Sequence, residues 1–512
     1  MSRRRFLAEA AALGIPAALI DGALSEAGLA DAPKRGGTLN IGIAGGSSTD
    51  SLDPRTWADS MPFNVGFAIM NQLVEVDPDN EPIASLFESW NVSADAATWV
   101  FRVRSGVTFH NGKTLDASDV VYSINLHRGG NEISGASAGL KPIKELNASG
   151  KNEVTIVLTE GDVDFLYAVS DYHLVVVPAD FKDWSHPIGT GAFTLESFEP
   201  GKSAALKHYA GHWNPDRGFV DAVNFACLND AAARMNAVAS GAVDIVHRVD
   251  TSTVDVIKHV RGLQLVVASG GYHAIYAARC DRPPFSDPNL RKAVKFAIDR
   301  EQLLKLLFNG YGAIGNDSPI PPSDRYYDKD LPQTTYDPDK AKFYWKQAQI
   351  TGPIVLSASE AAFNGAIDAA RLFQANARAA GVDFDVQPEP ADGFYANVWL
   401  KAPFCESYWA GRASATAMFT TAYKSDASWN ETGWKVPAFD KLLADAKREA
   451  DADKRRSMIF DLQRMVHDDG GAVIPAFKDW VDATASKVKG YLPHRLFDLC
   501  NGRAAEKVWL DD

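Results

Sequence analysis

Cysteine is scarce in this 512-residue chain: there are four, Cys227, Cys280, Cys405 and Cys500. So few, so widely spaced, exclude a small disulfide-stapled scaffold; four thiols still allow three full pairings, and spacing does not choose among them. An excess of positive charge is also lacking. Lys plus Arg is 52 against 65 for Asp plus Glu, a net of −13, which offers nothing to a nucleic-acid backbone or an anionic membrane surface. Beyond the N-terminal stretch no run of about 18 apolar residues occurs, so nothing there is long enough to span a bilayer. Internal repeats and low-complexity tracts are missing too. What is present is 46% hydrophobic and 23% charged residues, with a mean hydropathy of −0.17. That is a globular balance, in a chain with room for two to four compact units of roughly 150 residues.

Arg3-Arg4-Arg5-Phe6-Leu7 precedes a weakly apolar, Ala-rich stretch from Ala10 to Leu24. This is similar to a twin-arginine export signal, with small residues at Gly28 and Ala30 for cleavage. Residues 1–30 are therefore expected to be removed, leaving a mature protein in the periplasm. No cysteine near that point would carry a lipid anchor.

Alternating and helical patterns then succeed one another. Thr38 to Ile43 alternates with period two and feeds the Gly45-Gly46-Ser47-Ser48-Thr49 loop. Trp99, Phe101 and Val103 share one face of a strand whose other face carries Arg102 and Arg104. A helix follows, capped by Asp116 or Ser118, with Val120, Val121 and Ile124 on one side. Helices are expected again after Asp287-Pro288, over Arg300 to Phe308, over Ala361 to Ala380, and over Pro437 to Ala450 and Asp453 to His467. Strands fall at Val243 to Val246 and Val382 to Val386, and the Pro- and Tyr-rich stretch Asp317 to Asp339 reads as a long ordered loop. The fold class is α/β.

Several enzyme patterns match as strings and fail in context. Gly135-Ala136-Ser137-Ala138-Gly139 fits a nucleophile elbow, but polar Gly129 to Glu132 stands where the elbow needs a hydrophobic strand; Ser137 is the one nucleophile an exported hydrolase reading could nominate. His208 and His212 are four apart, yet the first ends a strand and no third ligand is near. Gly201-Lys202-Ser203 lacks the first glycine of a phosphate loop, because Glu196 stands there. No catalytic residue, metal site or cofactor is expected.

An ordered set of segments carries more. Trp99 to Lys113, then Leu115 to Asn125, with Gly189-Thr190-Gly191-Ala192-Phe193, Gly241 to Ile245, Arg291 to Glu301 and Tyr336 to Ala341, closely resembles family 5 extracytoplasmic solute-binding proteins. These are the dipeptide-, oligopeptide- and nickel-binding components of ABC importers, and the resemblance spans roughly residues 36 to 485. It implies a two-lobed periplasmic binding protein of the type II-like, large peptide-binding subclass, with hinge strands and an extra subdomain in lobe 1. The expected division is lobe 1 over 31–275, with the subdomain at about 53–184, lobe 2 over 276–479, and a return to lobe 1 over 480–512. It further implies a small-molecule solute, an ABC permease and ATPase as partners, and a monomer.

In peptide-binding relatives, a Trp-x-Gly-Asp or Trp-x-Ala-Asp stretch of the second lobe supplies the Asp that pairs with the peptide's ammonium. The matching stretch here is Tyr408-Trp409-Ala410-Gly411-Arg412, so Arg412 stands where the acid would be. A guanidinium accepts no hydrogen bond and stays charged, so it repels an ammonium and suits a carboxylate, sulfonate or phosphate. The expected ligand is therefore a small organic solute with an anionic group. The alternative is a di- or oligopeptide lying along Tyr408 to Gly411, its amine held by another acid. Trp409 and Trp429 could stack on a flat ligand face, and Asn430 lies in a loop resembling the family's Asn-containing pocket segment. Ser47, Ser48 and Thr49, which follow the first strand, and Tyr272 and His273 complete the candidate set. Nickel or haem finds no His or Cys cluster to support it.

Overall fold

The computed structural model describes residues 32–129, 134–350, 354–363, 365–391 and 393–511. The expected export signal lies outside them. One sheet of eleven strands runs through the molecule. Its first half is built on Thr38–Ile43, which pairs parallel with Ala222–Cys227 and with Ile245–Val246. Antiparallel Ser203–His208 and Phe193–Glu199 extend this half outward. The second half is built on Ile354–Ala358, parallel to Phe384–Pro388 and to Phe404–Trp409.

Two long strands, Leu263–Ala278 and Ala472–Ala485, join the halves. They pair antiparallel from Leu263 opposite Ala485 to Ala277 opposite Ala472. Ala483 and Thr484 bond to the first-half strand Ile245–Val246, and His273 to Ala278 bond to the second-half strand Phe404–Trp409. The register slips between Ser269 and Tyr272, so a bulge lies where the sheet passes from one half to the other. Two glycines occupy it because no side chain fits. A Cβ on Gly270 would lie 2.9 Å from the Lys478 carbonyl oxygen, and one on Gly271 would lie 2.9 Å from the Gly411 Cα.

A separate four-stranded antiparallel sheet, Phe87–Val92, Thr98–Val103, Glu153–Leu158 and Ile143–Gly150, forms a subdomain on the first half. In Thr98–Val103 the residues Trp99, Phe101 and Val103 are buried, while Arg102 faces out and pairs with Glu88 at 2.8 Å. Phe87 stacks on Phe101 at 4.3 Å. The helix Ala117–Asn125 begins at Asp116 with a reciprocal capping box to Asp119, two orphan backbone donors being satisfied at once.

Most expected elements are present, with shifted ends. The helix Ala366–Ala379 starts later than the Ala361 expected, because Ala361 to Phe363 form a turn and Gly365, at φ 80°, caps the helix. The strand expected over Val243 to Val246 shortens to Ile245–Val246. Ser137 opens a four-residue helix, Ser137–Leu140, with no strand directly before it among the described residues. All four cysteines are free thiols. No helix among the described residues is long and apolar enough to cross a membrane.

Candidate ligand-binding site between the lobes

Phe404–Trp409 is buried except at Tyr408, and its C-terminal end is fixed by a buried acid. Glu431 accepts the Trp409 indole N–H on Oε1 at 2.5 Å and the Trp399 indole N–H on Oε2 at 2.6 Å. Burial raises its pKa, while these donors and Ser407 pull the other way. With Trp409 locked, Ala410 and Gly411 turn the chain across the bulge, where only Gly411 can lie against Gly271.

Arg412 therefore stands at the edge of the crossing. Its Nη1 donates to the carbonyls of Ala410 at 2.9 Å and Gly411 at 3.3 Å, and the guanidinium lies 5.9 Å from the centre of the Trp409 ring. It forms no ion pair among the described residues. Nε and Nη2 keep their hydrogens for another partner. Burial lowers its pKa, and Asp171 and Tyr172 of the first lobe raise it; an arginine in such a setting stays charged.

His273 is opposite Trp409 in the sheet. Its Nδ1 lies 3.0 Å from the Gly271 carbonyl, which assigns the proton to Nδ1, and buried Nε2 has no partner among the described residues. Burial, aided by Arg412, pushes its pKa down to about 4, so the ring is neutral at pH 7. Tyr272 stacks on Tyr408 at 5.3 Å, and the Lys478 ammonium stands 5.8 Å from the Tyr272 ring centre. Lys478 also lacks an ion pair among the described residues. Tyr395, Tyr408 and Trp429 are 41%, 40% and 49% exposed, and Trp429 lies 6.0 Å from Trp409 and 6.3 Å from Trp399.

Two groups of expected site residues are placed elsewhere. Asn430 is buried, its amide donating to the Trp434 carbonyl at 2.7 Å and its oxygen accepting from Thr432. It holds the Trp429 loop together and lines a second-lobe cavity of about 280 Å³ beside Arg279, Ser428 and Lys435. Ser47, Ser48 and Thr49 are exposed; Ser47 and Thr49 bond to each other at 2.9 Å, and Ser47 N–H donates to Asp50. No hydrogen bond, ion pair or ring contact joins these three to Arg412, Trp409 or Trp429.

The first lobe meets this region through the segment 162–172. Asp164 accepts from Thr416 and from Arg455, both in the second lobe, and Arg455 is held by the Tyr326 hydroxyl at 2.8 Å. Asp162 pairs with Lys447 at 2.9 Å, and Glu81 pairs with Arg325. Beside them is a crevice of about 10 Å³ lined from both lobes, by Tyr167 on one side and by Arg325, Ala413 and Ser414 on the other. That is room for about one water, so the lobes are in contact. Asp171, Tyr172, Lys478 and Glu431 were not singled out by sequence reasoning. Lys478 comes here through the strand pairing that sets it opposite Tyr272, whereas Asp171, Tyr172 and Glu431 come from turns and loops outside the strands.

Two lobes joined by a shared pair of crossing strands give the architecture of a two-lobed binding protein. Residues 81–431 match the family described as bacterial extracellular solute-binding proteins, family 5, and the chain belongs to that family. It is the substrate-binding component of an ABC importer. It is similar to the dipeptide-binding protein of Escherichia coli K12, 24% identical over 492 residues, covering 87% of this chain and 90% of that protein. The glutathione-binding protein GsiB of Pectobacterium atrosepticum is 25% identical over 482 residues, 89% and 92% of the two chains. The periplasmic binding protein DppA of Helicobacter pylori, in complex with the peptide STSA, superimposes with a TM-score of 0.78 at 21% identity, covering 94% and 99%.

Proposed function

We propose that this protein captures a small organic solute bearing an anionic group and delivers it to an ABC permease and its ATPase. One observation carries the reading: Arg412, at the edge of the lobe crossing, keeps Nε and Nη2 without a protein acceptor among the described residues. Lys478 adds a second cation, and Tyr408 and Trp429 offer exposed rings to the body of the solute. The lobes divide at the bulge, 31–275 with 480–512 against 276–479, and rotate about it. The chain works as a monomer, reaches the periplasm through its twin-arginine segment, and performs no catalysis. A peptide is the second reading, favoured by the names of the dipeptide- and glutathione-binding relatives.

The test is thermal shift against carboxylates, phosphorylated and sulfonated sugars, opine-like conjugates, and di- and tripeptides. A compound at 100 times its Kd adds about 2.7 kcal/mol of stability. Arg412→Ala and Arg412→Asp are expected to abolish the shift from anionic compounds. An unchanged shift in both variants overturns the assignment.

A further inference from the structure

The second-lobe cavity of about 280 Å³ stands apart from the strand crossing. Arg279, on one wall, directly follows the strand Leu263–Ala278. It is eight residues past Gly271, about 26 Å along the sheet at roughly 3.3 Å per residue. The facing wall is the loop 425–433, which supplies Ser425, Asp426, Ser428 and Asn430. Backbone fixes both walls. Arg279 Nη1 donates to the Leu400 carbonyl at 2.8 Å, the Cys280 N–H donates to the Thr432 carbonyl at 2.6 Å, and the Asn430 amide donates to the Trp434 carbonyl at 2.7 Å. The volume is well beyond the roughly 15 Å³ that a single water needs.

The groups around it favour an anion. Arg279 is only 9% exposed; its Nε and Nη2 grip Asp281 at 2.9 and 2.5 Å. A guanidinium carries two hydrogens on each Nη, so Nη1 and Nη2 each keep one with no acceptor among the described residues. Lys435 is exposed and forms no ion pair among the described residues. Ser425 Oγ is buried with no hydrogen-bond partner among the described residues, and a buried hydroxyl left unbonded costs stability that a bound acceptor would restore. The acids here are engaged. Asp281 pairs with Arg279 and Arg282, Asp426 pairs with Lys424 at 2.9 Å, and Asp440 accepts the Ser425 backbone N–H at 2.9 Å. Arg279, Arg282, Lys424 and Lys435 thus outnumber Asp281, Asp426 and Asp440, and the spare capacity lies with donors.

The loop 425–433 also has a second face. Ser428 and Asn430 line the cavity, while Trp429 between them lies 6.0 Å from Trp409. Glu431 accepts the indole N–H groups of Trp409 and Trp399, and Leu400, beside Trp399, is again a cavity residue. We propose that this cavity is a second site, for a small oxyanion such as phosphate or a phosphate monoester, held by Arg279, Lys435 and the Ser425 and Ser428 hydroxyls, and that its occupation shifts Trp429. Every lining residue belongs to the second lobe, so lobe opening neither makes nor breaks the site, and the oxyanion acts as an effector and not as cargo. The site stands without the reading of Arg412; an effect on solute capture rests on that reading.

The test is isothermal titration of the purified protein with inorganic phosphate and with glycerol 3-phosphate, at constant ionic strength. Phosphate is expected to bind wild type and Arg412→Gln equally. Lys435→Glu should weaken it by about tenfold or more and Ser425→Ala by about threefold, with the ligand-free Tm of both variants unchanged. The tighter of the two compounds tells free ion from ester. Phosphate should also change the tryptophan fluorescence of wild type, and Trp429→Phe should abolish that change. Binding lost in Arg412→Gln but kept in Lys435→Glu would put the anion at the crossing and overturn the second site. No binding of either compound, or equal affinity in wild type, Lys435→Glu and Ser425→Ala, overturns it too. A fluorescence change that survives Trp429→Phe overturns the link to the loop.

Discussion

The lobes meet through two charged regions of opposite character. At the subdomain edge Asp164, Asp162 and Glu81 are each taken up by a cation of the second lobe, and the Asp164 and Arg455 side chains are only 6% and 7% exposed. At the strand crossing Arg412 and Lys478 stand near Asp171 and Tyr272 with no ion pair formed among the described residues. The first region is complete without a ligand and can only hold the lobes together. The second has charges that are desolvated and unspent, an arrangement that costs stability unless something else satisfies it. The satisfied charges link the lobes; the unsatisfied ones are where the proposed solute would bind.

Breaking the satisfied region should have the larger effect. Asp164→Ala leaves Arg455 buried without its acid, and removing one partner of a buried pair costs about 3–5 kcal/mol. Part of that is recovered by opening, so small-angle scattering should show a larger radius of gyration together with a lower Tm; unchanged values for both would mean the contact does not hold the lobes. Trp409→Phe comes next. It leaves Glu431 Oε1 without its indole donor, at about 1–3 kcal/mol, read from the denaturation midpoint, and a shift near zero would remove Glu431 from its supporting role.

The crossing strands carry a titration of their own. Asp482, on Ala472–Ala485, accepts from Tyr491 at 2.5 Å and Leu499 N–H at 3.1 Å. Burial, with the Asp498 carboxylate added, pushes its pKa up to about 6. Burial also opposes ionisation of Asp498, but His247 and Arg248 outweigh it and hold that carboxyl at about 2. Asp482 is therefore protonated more readily in the folded state than in the unfolded one. The stability it confers is complete below about pH 4 and is lost as the pH rises through about 6. Wild-type Tm should fall over that interval relative to Asp482→Asn, and parallel curves would contradict the raised pKa. The smallest loss belongs to the unsatisfied region: without ligand, Arg412→Ala should leave stability unchanged or raise it, because no ion pair is lost and an unpaired, desolvated charge is removed. Ser137→Ala should be as mild and should leave no hydrolysis to compare. A large loss in the ligand-free Arg412 variant would erase the distinction between the two regions.

Local patterns carried the elements well. Trp99, Phe101 and Val103 announce their strand by period two, and Asp116 announces its helix by a cap, because both effects act within a few residues. Arg412 and Trp409 were found through a segment resemblance and lie at the crossing. The type of Asn430 does not reveal how its hydrogen bonds are spent, and here three loop carbonyls take its amide. Lys478 became visible only when the antiparallel register set it opposite Tyr272, and Asp171 only when the Asp164 contact brought its segment to the second lobe. Such contacts between distant segments leave no trace in a local window.

The central claim is that the Arg412 guanidinium anchors an anionic group between the lobes. The direct measurement is the Kd of the most stabilising anionic compound, by isothermal titration, for wild type and Arg412→Gln at matched Tm. With about 1.5–3 kcal/mol for a charge-assisted hydrogen bond, affinity should fall by about 10- to 150-fold while the Tm of the ligand-free variant holds. Equal Kd values in the two proteins would contradict the account.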